Sequence, residues 1–427
     1  MANTYLSRTP SSASNRKTWT WSAWVKRSEL SASNQVLFQA LDGSFPEKLQ
    51  FNSAAKLEYD HDIAGTDYTV RSDMVFRDTS NWYHIMVAKD TTQATETNRI
   101  KVYVNGEQQT LSEYQLGYPP QNYDGLINST NAHYVGSNST SEYFSGLMSH
   151  IHFIDGTAYD ASAFGKYDAN GVWTIKTSPS VTYGTNGFFI LKDGNSVTDQ
   201  SGRGNNFTVG GGTLTDLKDN PDNVFATMNA LSKSLSNVVL SKGNTIIRND
   251  ASANGNVLGT IALGNGKYYW ENYRHGGGNI GCGLTLASVD GSNHSAIHGS
   301  RVNYYQDGNI YQNGFGLSDI NTGVTYSDTD IIGVSVDTEG GTIKFYKNGA
   351  LVNNSSQTNS AFTYAQNELI PFWYVNNGGE WRTNFGNGYF GTTAITSAGT
   401  NASGNGIFEY DVQPTDATAL STKGLNL

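Results

Sequence analysis

The sequence predicts an all-β protein folded as two successive β-sandwiches, and three observations carry that reading. Apolar residues alternate with period two: in TWTWSAWVK (18–26), Trp19, Trp21, Ala23 and Val25 fall on one face. Clusters of Gly, Asn, Asp and Ser interrupt the chain about every 8–14 residues, the rhythm of antiparallel strands joined by turns. One unit also occurs twice. WYHIMVAKD (82–90) is followed by IKVYVNG (100–106), and DIIGVSVD (330–337) by IKFYKNG (343–349). In each, Ile and the third residue share one face, and Asn-Gly supplies the positive φ angles of a tight hairpin. A unit repeated once at such a distance fits two separate sandwiches and not a solenoid.

In chain order, the first sandwich is expected over 1–192, with LMSHIHFI (147–154) as a later strand and a short helical turn near Ala161–Phe164. Residues 193–223, rich in Gly, Asn and Asp and poor in large apolar side chains, read as a linker. The second sandwich is expected over 224–427, with a short helical turn around Ala226–Leu231, a strand at KYYWENY (267–273) and a C-terminal extension.

Composition narrows the function. Aromatic residues make up 12% of the 427, enough for a sizeable core, while only 15% are charged and 47 are glycine. The net charge is −10 with no basic run, which argues against a nucleic-acid partner. A single cysteine, Cys282, forbids an intrachain disulfide framework. No apolar stretch approaches the ~20 residues of a membrane-spanning helix, and the start MANTYLSRTP lacks the apolar core of a secretory signal.

The first half resembles the laminin-G-like, concanavalin A-like sandwich. The resemblance rests on TWSAWVK (20–26), WYHIMVAKD, IKVYVNG and YFSGLMSHIHFIDG (143–156). The second half resembles a SPRY domain through GKYYWE (266–271), NIGCGL (279–284), the DIIGVSVD and IKFYKNG pair, and ELIPFW with WRTNFG (368–386). Their arrangement, with the leading NTYLSRTPSSASNRKTWTWSAWVKRS and the closing ALSTKGLN, resembles structural proteins of tailed phages, particularly marine ones. That resemblance implies two tandem concanavalin A-like jelly-roll sandwiches in a virion component, assembled in the host cytoplasm and exposed on the particle. A tail fibre or surface appendage is the leading expectation, and a decoration protein with no ligand of its own is the alternative. The implied partners are other virion proteins, further copies of the chain in a trimer, and host surface polysaccharide or glycoprotein. Longer relatives carry an anchoring or trimerising segment, whereas here the first sandwich begins almost at Met1.

Enzymes use the same fold, so each potential site was weighed. Concanavalin-like glycosidases place three carboxylates on one strand as E-x-D-x-E or E-x-D-x-x-E, and no such string occurs. Arg27-Ser28-Glu29-Leu30 and His150-Ile151-His152 are similar to strands of alginate-lyase-like sandwiches, but no glutamine precedes the Ile-His pair and YKNG (346–349) lies in the other half. A polysaccharide depolymerase is therefore the opposing reading, and the leading one is non-enzymatic. His150 and His152 would share a strand face, but no third ligand can be named. His294 and His298 are read as loop residues. DHDIAGTD (60–67) starts like an EF-hand yet has Ala64 and Arg71 where acidic ligands belong. The resemblance leaves room for a structural calcium in the first sandwich, without assigned ligands, and no other cofactor is expected. HGGGN (275–279) is similar to an esterase oxyanion loop, but no G-x-S-x-G elbow accompanies it, so it reads as a turn. Cys282, flanked by glycines, reads as a buried thiol.

Binding is the better expectation. Carbohydrate sites pair aromatic platforms with amide side chains, and the second half supplies both. Val375–Trp381 contains Asn376, Asn377, Glu380 and Trp381; Asn303–Asp307 contains Tyr304 and Tyr305; Tyr311 and Asn313 follow. Tyr304, Tyr305, Asn376, Asn377, Glu380 and Trp381 are the candidate ligand-binding residues. The competing reading is that Tyr and Trp at alternating positions fill the sandwich core.

Overall fold

The Trp-rich segment forms the strand Thr18–Arg27 in a computed structural model of the chain. The structure describes residues 3–30, 33–192, 194, 196–235 and 237–426. Trp19, Trp21, Ala23 and Val25 all enter one core, as the alternation requires, while Trp24 lies on the opposite face beside His84. The chain divides into two units, Met1–Asp216 and Leu217–Leu427.

The first unit pairs an eight-stranded antiparallel sheet with a six-stranded one. Trp21 of the six-stranded sheet stacks on Phe38 of the eight-stranded sheet, with centroids 6.2 Å apart and planes 13° from parallel. Among these apolar side chains sits a fully buried ion pair, Lys89 Nζ to Glu47 Oε1 at 2.6 Å. Tyr59 Oη donates to Glu47 at 2.7 Å, and the Ile127 N–H donates to its other oxygen at 2.8 Å. Burial alone would raise the Glu47 carboxyl, but the Lys89 ammonium, with His61 and these hydrogen bonds, brings it down to about 2. The ion pair links facing sheets, since Glu47 lies on Phe45–Phe51 and Lys89 on Tyr83–Asp90.

The second unit pairs a seven-stranded with a nine-stranded sheet around Trp270, Trp373 and Trp381. Buried Asn272 crosses this core: its Oδ1 accepts from Trp373 Nε1 at 2.7 Å and from Thr383 Oγ1 at 3.0 Å. On the outer side of the nine-stranded sheet, the Glu271 carboxyl accepts from the Glu409 and Tyr410 N–H groups, both at 2.8 Å. Phe408, Val412 and Ala417 of the C-terminal extension pack there with Tyr269 and Tyr346. Burial raises Glu271 to about 7 against the opposing pull of those hydrogen bonds.

The repeated unit folds alike in both halves. Asn105 and Gly106 have φ of 48° and 88°, and Asn348 and Gly349 have 49° and 80°. Each Asn also binds the neighbouring strand, His84 N–H donating to Asn105 Oδ1 and Ile331 N–H to Asn348 Oδ1, both at 2.8 Å.

Two local expectations change. Ala161–Ala163 is the expected turn, a 3-10 helix capped by Asp160, but Met228–Lys233 is a strand paired with Gly255–Gly259. There, burying Met228 and pairing the backbone outweigh the helical preference of Ala, Met and Leu. The stretch expected as a linker is largely built into the first unit. Thr208–Gly210 adds to the sheet against Tyr5–Ser7, Phe207 enters the core, and Asp199 accepts from the N–H groups of Phe189, Ser201 and Asn205. Asp193 and Asn195 of that stretch lie outside the described residues.

Two outcomes follow for stability. Glu47→Gln leaves Lys89 buried without its counter-charge and is expected to cost about 3–5 kcal/mol in denaturant unfolding, most of it recovered in Glu47→Leu/Lys89→Met. Burial also lowers His61 to about 4, His84 to about 3 and His133 to about 4. These imidazoles stay neutral in the fold while the unfolded chain takes up protons below about 6.5, so stability is lost as pH falls from there toward 4. Glu47, with its lowered carboxyl, adds to the loss below about 4.5. Glu271 runs the other way: raised to about 7, it takes up its proton in the fold before the unfolded chain does and offsets about one histidine between about 7 and 4.5. A Tm measured from pH 7 to pH 4 should still fall, and a flat profile would contradict this.

Candidate functional site

Glycines on a central strand create the most distinctive surface of the second unit. In the strand Asn279–Leu286, Ile280, Cys282 and Leu284 face the core, so Gly281 and Gly283 face outward. Residues directly opposite on paired strands share a face. Gly281 lies opposite Tyr374 on one side and Tyr305 on the other, and Gly283 lies opposite Phe372 and Asn303. The result is a side-chain trough over two glycines, walled by Tyr374 and Phe372 on one flank and by Tyr305 and Asn303 on the other, with the Asn303 amide and the Tyr305 ring filling the space above Gly281. Tyr311 stands opposite Asn303 on the next strand, and Asn256 opposite Tyr374.

Aromatic and amide groups cluster around this trough. The Tyr305 ring lies 5.6 Å from Tyr374 and 5.8 Å from Tyr311, centroid to centroid. Asn254 Oδ1 accepts from Tyr374 Oη at 2.7 Å and from Asn376 Nδ2 at 2.6 Å. A short helix, His294–His298, is capped by Asn293 and inserts Ile297 against Leu258, Phe372 and Tyr374. Its two imidazoles lie 3.8 Å apart with their planes tilted by 42°, and Arg301 Nη1 donates to the His298 ring, 2.6 Å from Nδ1. Because a guanidinium only donates, that ring nitrogen must accept, so His298 is neutral. Burial lowers His298 to about 3, with Arg301 and His294 adding to the effect. The surface is thus aromatic, amide-rich and almost uncharged.

Of the candidate residues, Tyr305 and Asn376 belong to this cluster. Tyr304 and Trp381 do not: both are fully buried, and the core reading holds for them. Tyr304 packs between Tyr326 and Phe345, and Trp381 Nε1 donates to the Gly281 carbonyl at 3.1 Å. Period two explains this, because Tyr304 shares its face with Val302, and Trp381 lies on the other sheet. Asn377 is exposed at a turn with φ of 53°. Glu380, on the nine-stranded sheet, accepts from Arg382 at 2.7 Å. The expectation that His294 and His298 lie on a loop is also corrected, since the Asn293 cap starts a helix that brings them together. Tyr374, Asn254, Asn256 and Arg301 were missed. For Tyr374 the signal was available: once Trp373 is inward, Tyr374 and Asn376 must point outward.

The structure adds one Ser–His pair that the sequence did not suggest, and it places the groups that did stand out. Ser22 Oγ lies 2.8 Å from His84 Nε2, and Trp173 Nε1 donates to His84 Nδ1 at 3.1 Å. The indole can only donate, so the single proton of neutral His84 sits on Nε2 and points at Ser22. That imidazole therefore cannot accept the Ser22 proton. His150 and His152 lose their common face at a register shift, where His150 has φ of 49°. DHDIAGTD is a hairpin in which Asp62 accepts from the Gly65 N–H. Burial pushes the Cys282 thiol up, and HGGGN joins two strands as a turn. Among the described residues, no three His, Cys, Asp or Glu side chains are grouped to hold a metal. No described helix is long and apolar enough to cross a membrane.

Comparisons with known proteins agree with both sandwiches. Residues 2–162 match the laminin G type family described as the concanavalin A-like lectin/glucanases superfamily, and residues 267–388 match the SPRY domain. The chain therefore carries a concanavalin A-like domain followed by a SPRY domain. Among solved structures, it is similar to the SPRY domain of human HERC1, at 20% identity over 36% of this chain and 96% of that one (TM-score 0.29). The TRIM65 PSpry domain matches at 14% identity over 37% of this chain and 87% of that one (TM-score 0.30). Stonustoxin matches at 20% identity over 37% of this chain and 27% of that one (TM-score 0.27). No curated protein matches the chain.

The placements give a direct contrast. Trp381→Ala should cost about 3–5 kcal/mol of stability by emptying the core. Asn377→Gly, at a left-handed turn position, should change stability by less than about 0.5 kcal/mol. Urea unfolding of the two variants measures both.

Proposed function

We propose that this chain is a non-enzymatic component of a tailed-phage particle that contacts host-surface glycans through the outer face of its SPRY domain. The phage-protein resemblance in the sequence supports the particle. The glycan reading rests on one observation, the half-buried Tyr305 and Tyr311 rings 5.8 Å apart, with Tyr374 joining Tyr305 to the Asn254 and Asn376 amides. A pyranose offers an apolar C–H face to an aromatic ring and a rim of hydroxyls to amides, and an uncharged surface suits a neutral sugar. Single contacts of this kind are weak. Repeated copies on a particle, expected as trimers, would turn them into firm attachment.

Binding of the purified chain to an array of bacterial surface glycans tests the reading, with Tyr305→Ala and Tyr311→Ala expected to weaken any hit at least tenfold at unchanged Tm. An array blank at every sugar would instead favour a decoration protein with no ligand. New reducing ends or unsaturated uronates after incubation with host polysaccharide would favour a depolymerase.

A further inference from the structure

The trough over Gly281 and Gly283 holds polar groups that the fold itself does not use. Asn303 is fully buried, yet neither its Oδ1 nor its Nδ2 has a hydrogen-bond partner among the described residues. Asn256 Oδ1, Asn376 Oδ1 and Arg301 Nε, on the same face, are buried and unpartnered as well. Most buried polar atoms in folded proteins are paired, because leaving one unpaired costs about 1–3 kcal/mol. The Asn303 amide also points into the trough: a Cβ added at Gly281 would lie 2.6 Å from Asn303 Nδ2. Tyr305 and Tyr374, both opposite Gly281, meet above it.

We propose that this trough is a subsite for the acetamido group of an N-acetylated hexosamine, an inference that rests on the glycan reading above. Asn303 offers one free acceptor and free N–H donors side by side. A secondary amide matches both at once, its N–H to Oδ1 and its carbonyl to Nδ2. Its methyl group then meets the Tyr305 and Tyr374 rings. A pair of hydroxyls could make the same hydrogen bonds but brings no apolar group to those walls and gives up more hydration. Arg301, whose Nη1 donates to His298 and whose Nε is unpartnered, is the one cation on the described rows that line the trough. Tyr305 is the half-exposed part of the roof, so the ligand enters as that ring turns outward.

Isothermal titration of the intact chain with the tetramer of N-acetylglucosamine, and with the glucose tetramer of the same linkage, tests this. The acetylated tetramer should bind at least tenfold tighter, and Asn303→Ala should bring the two affinities within about twofold. Gly281→Ala, whose Cβ would lie 2.6 Å from Asn303 Nδ2 and so pushes that amide out of place, should do the same and covers the case in which Asn303→Ala does not fold. Equal affinity for both tetramers in the unmodified chain overturns the acetamido subsite and leaves the glycan reading standing. So does binding to other array sugars with neither tetramer bound. An array blank throughout overturns both.

Discussion

Two Asn-Gly turns hold the register on which the rest of the molecule depends. At Asn105 and at Asn348 the backbone takes the left-handed conformation of a tight hairpin, and the Asn side chain accepts the N–H of the residue that opens the pairing on the neighbouring strand. The clamp fixes which residue faces which. A slip by one position would turn every inward side chain outward, exposing Ile343 and Phe345 and burying Lys344. Both cores rest on that parity, and the trough of the second domain rests on the matching parity of the seven-stranded sheet, where Tyr305 and Tyr374 sit opposite Gly281.

Buried polar groups play two different parts. Glu47 with Lys89 and Tyr59, Asn272 with Trp373 and Thr383, and Glu271 with the Glu409 and Tyr410 amides have their hydrogen bonds made inside the protein. They tie sheet to sheet, or the C-terminal extension to a sheet, and they serve the fold. The amides around the trough are left incomplete. On the proposed glycan reading, such neutral donors and acceptors set among aromatic rings would carry the specificity of a chain with only 15% charged residues. That combination suits a neutral, hydroxyl-rich partner better than an ion or a phosphate backbone. The same chemistry explains why the Ser22 and His84 pair carries no nucleophile: the indole of Trp173 fixes the imidazole proton on the wrong nitrogen for that task.

Sequence and structure agree where the information is local and periodic. The all-β class, the Trp19–Val25 face, both Asn-Gly hairpins, the turn at Ala161 and the buried Cys282 were legible, because alternation and turn chemistry are written in neighbouring residues. Part of the candidate cluster was legible too: Tyr305 and Asn376 lie where aromatic and amide groups meet. Tyr304 and Trp381 were named with them and are core residues, since an aromatic-rich strand reads the same whichever parity points inward.

The sequence alone therefore determined the class of fold, its division into two sandwiches and the chemistry of its surface, because each depends on composition or on spacing within a single strand. Tertiary structure decided which face each residue occupies and which distant residues meet. Asn254, Asn303 and Tyr374 come from strands and turns far apart in the chain, and only the sheet order brings them together. It also decided that the supposed linker would complete the first sheet through Thr208–Gly210, because an edge strand there satisfies backbone groups of Tyr5–Ser7 that no local pattern announces.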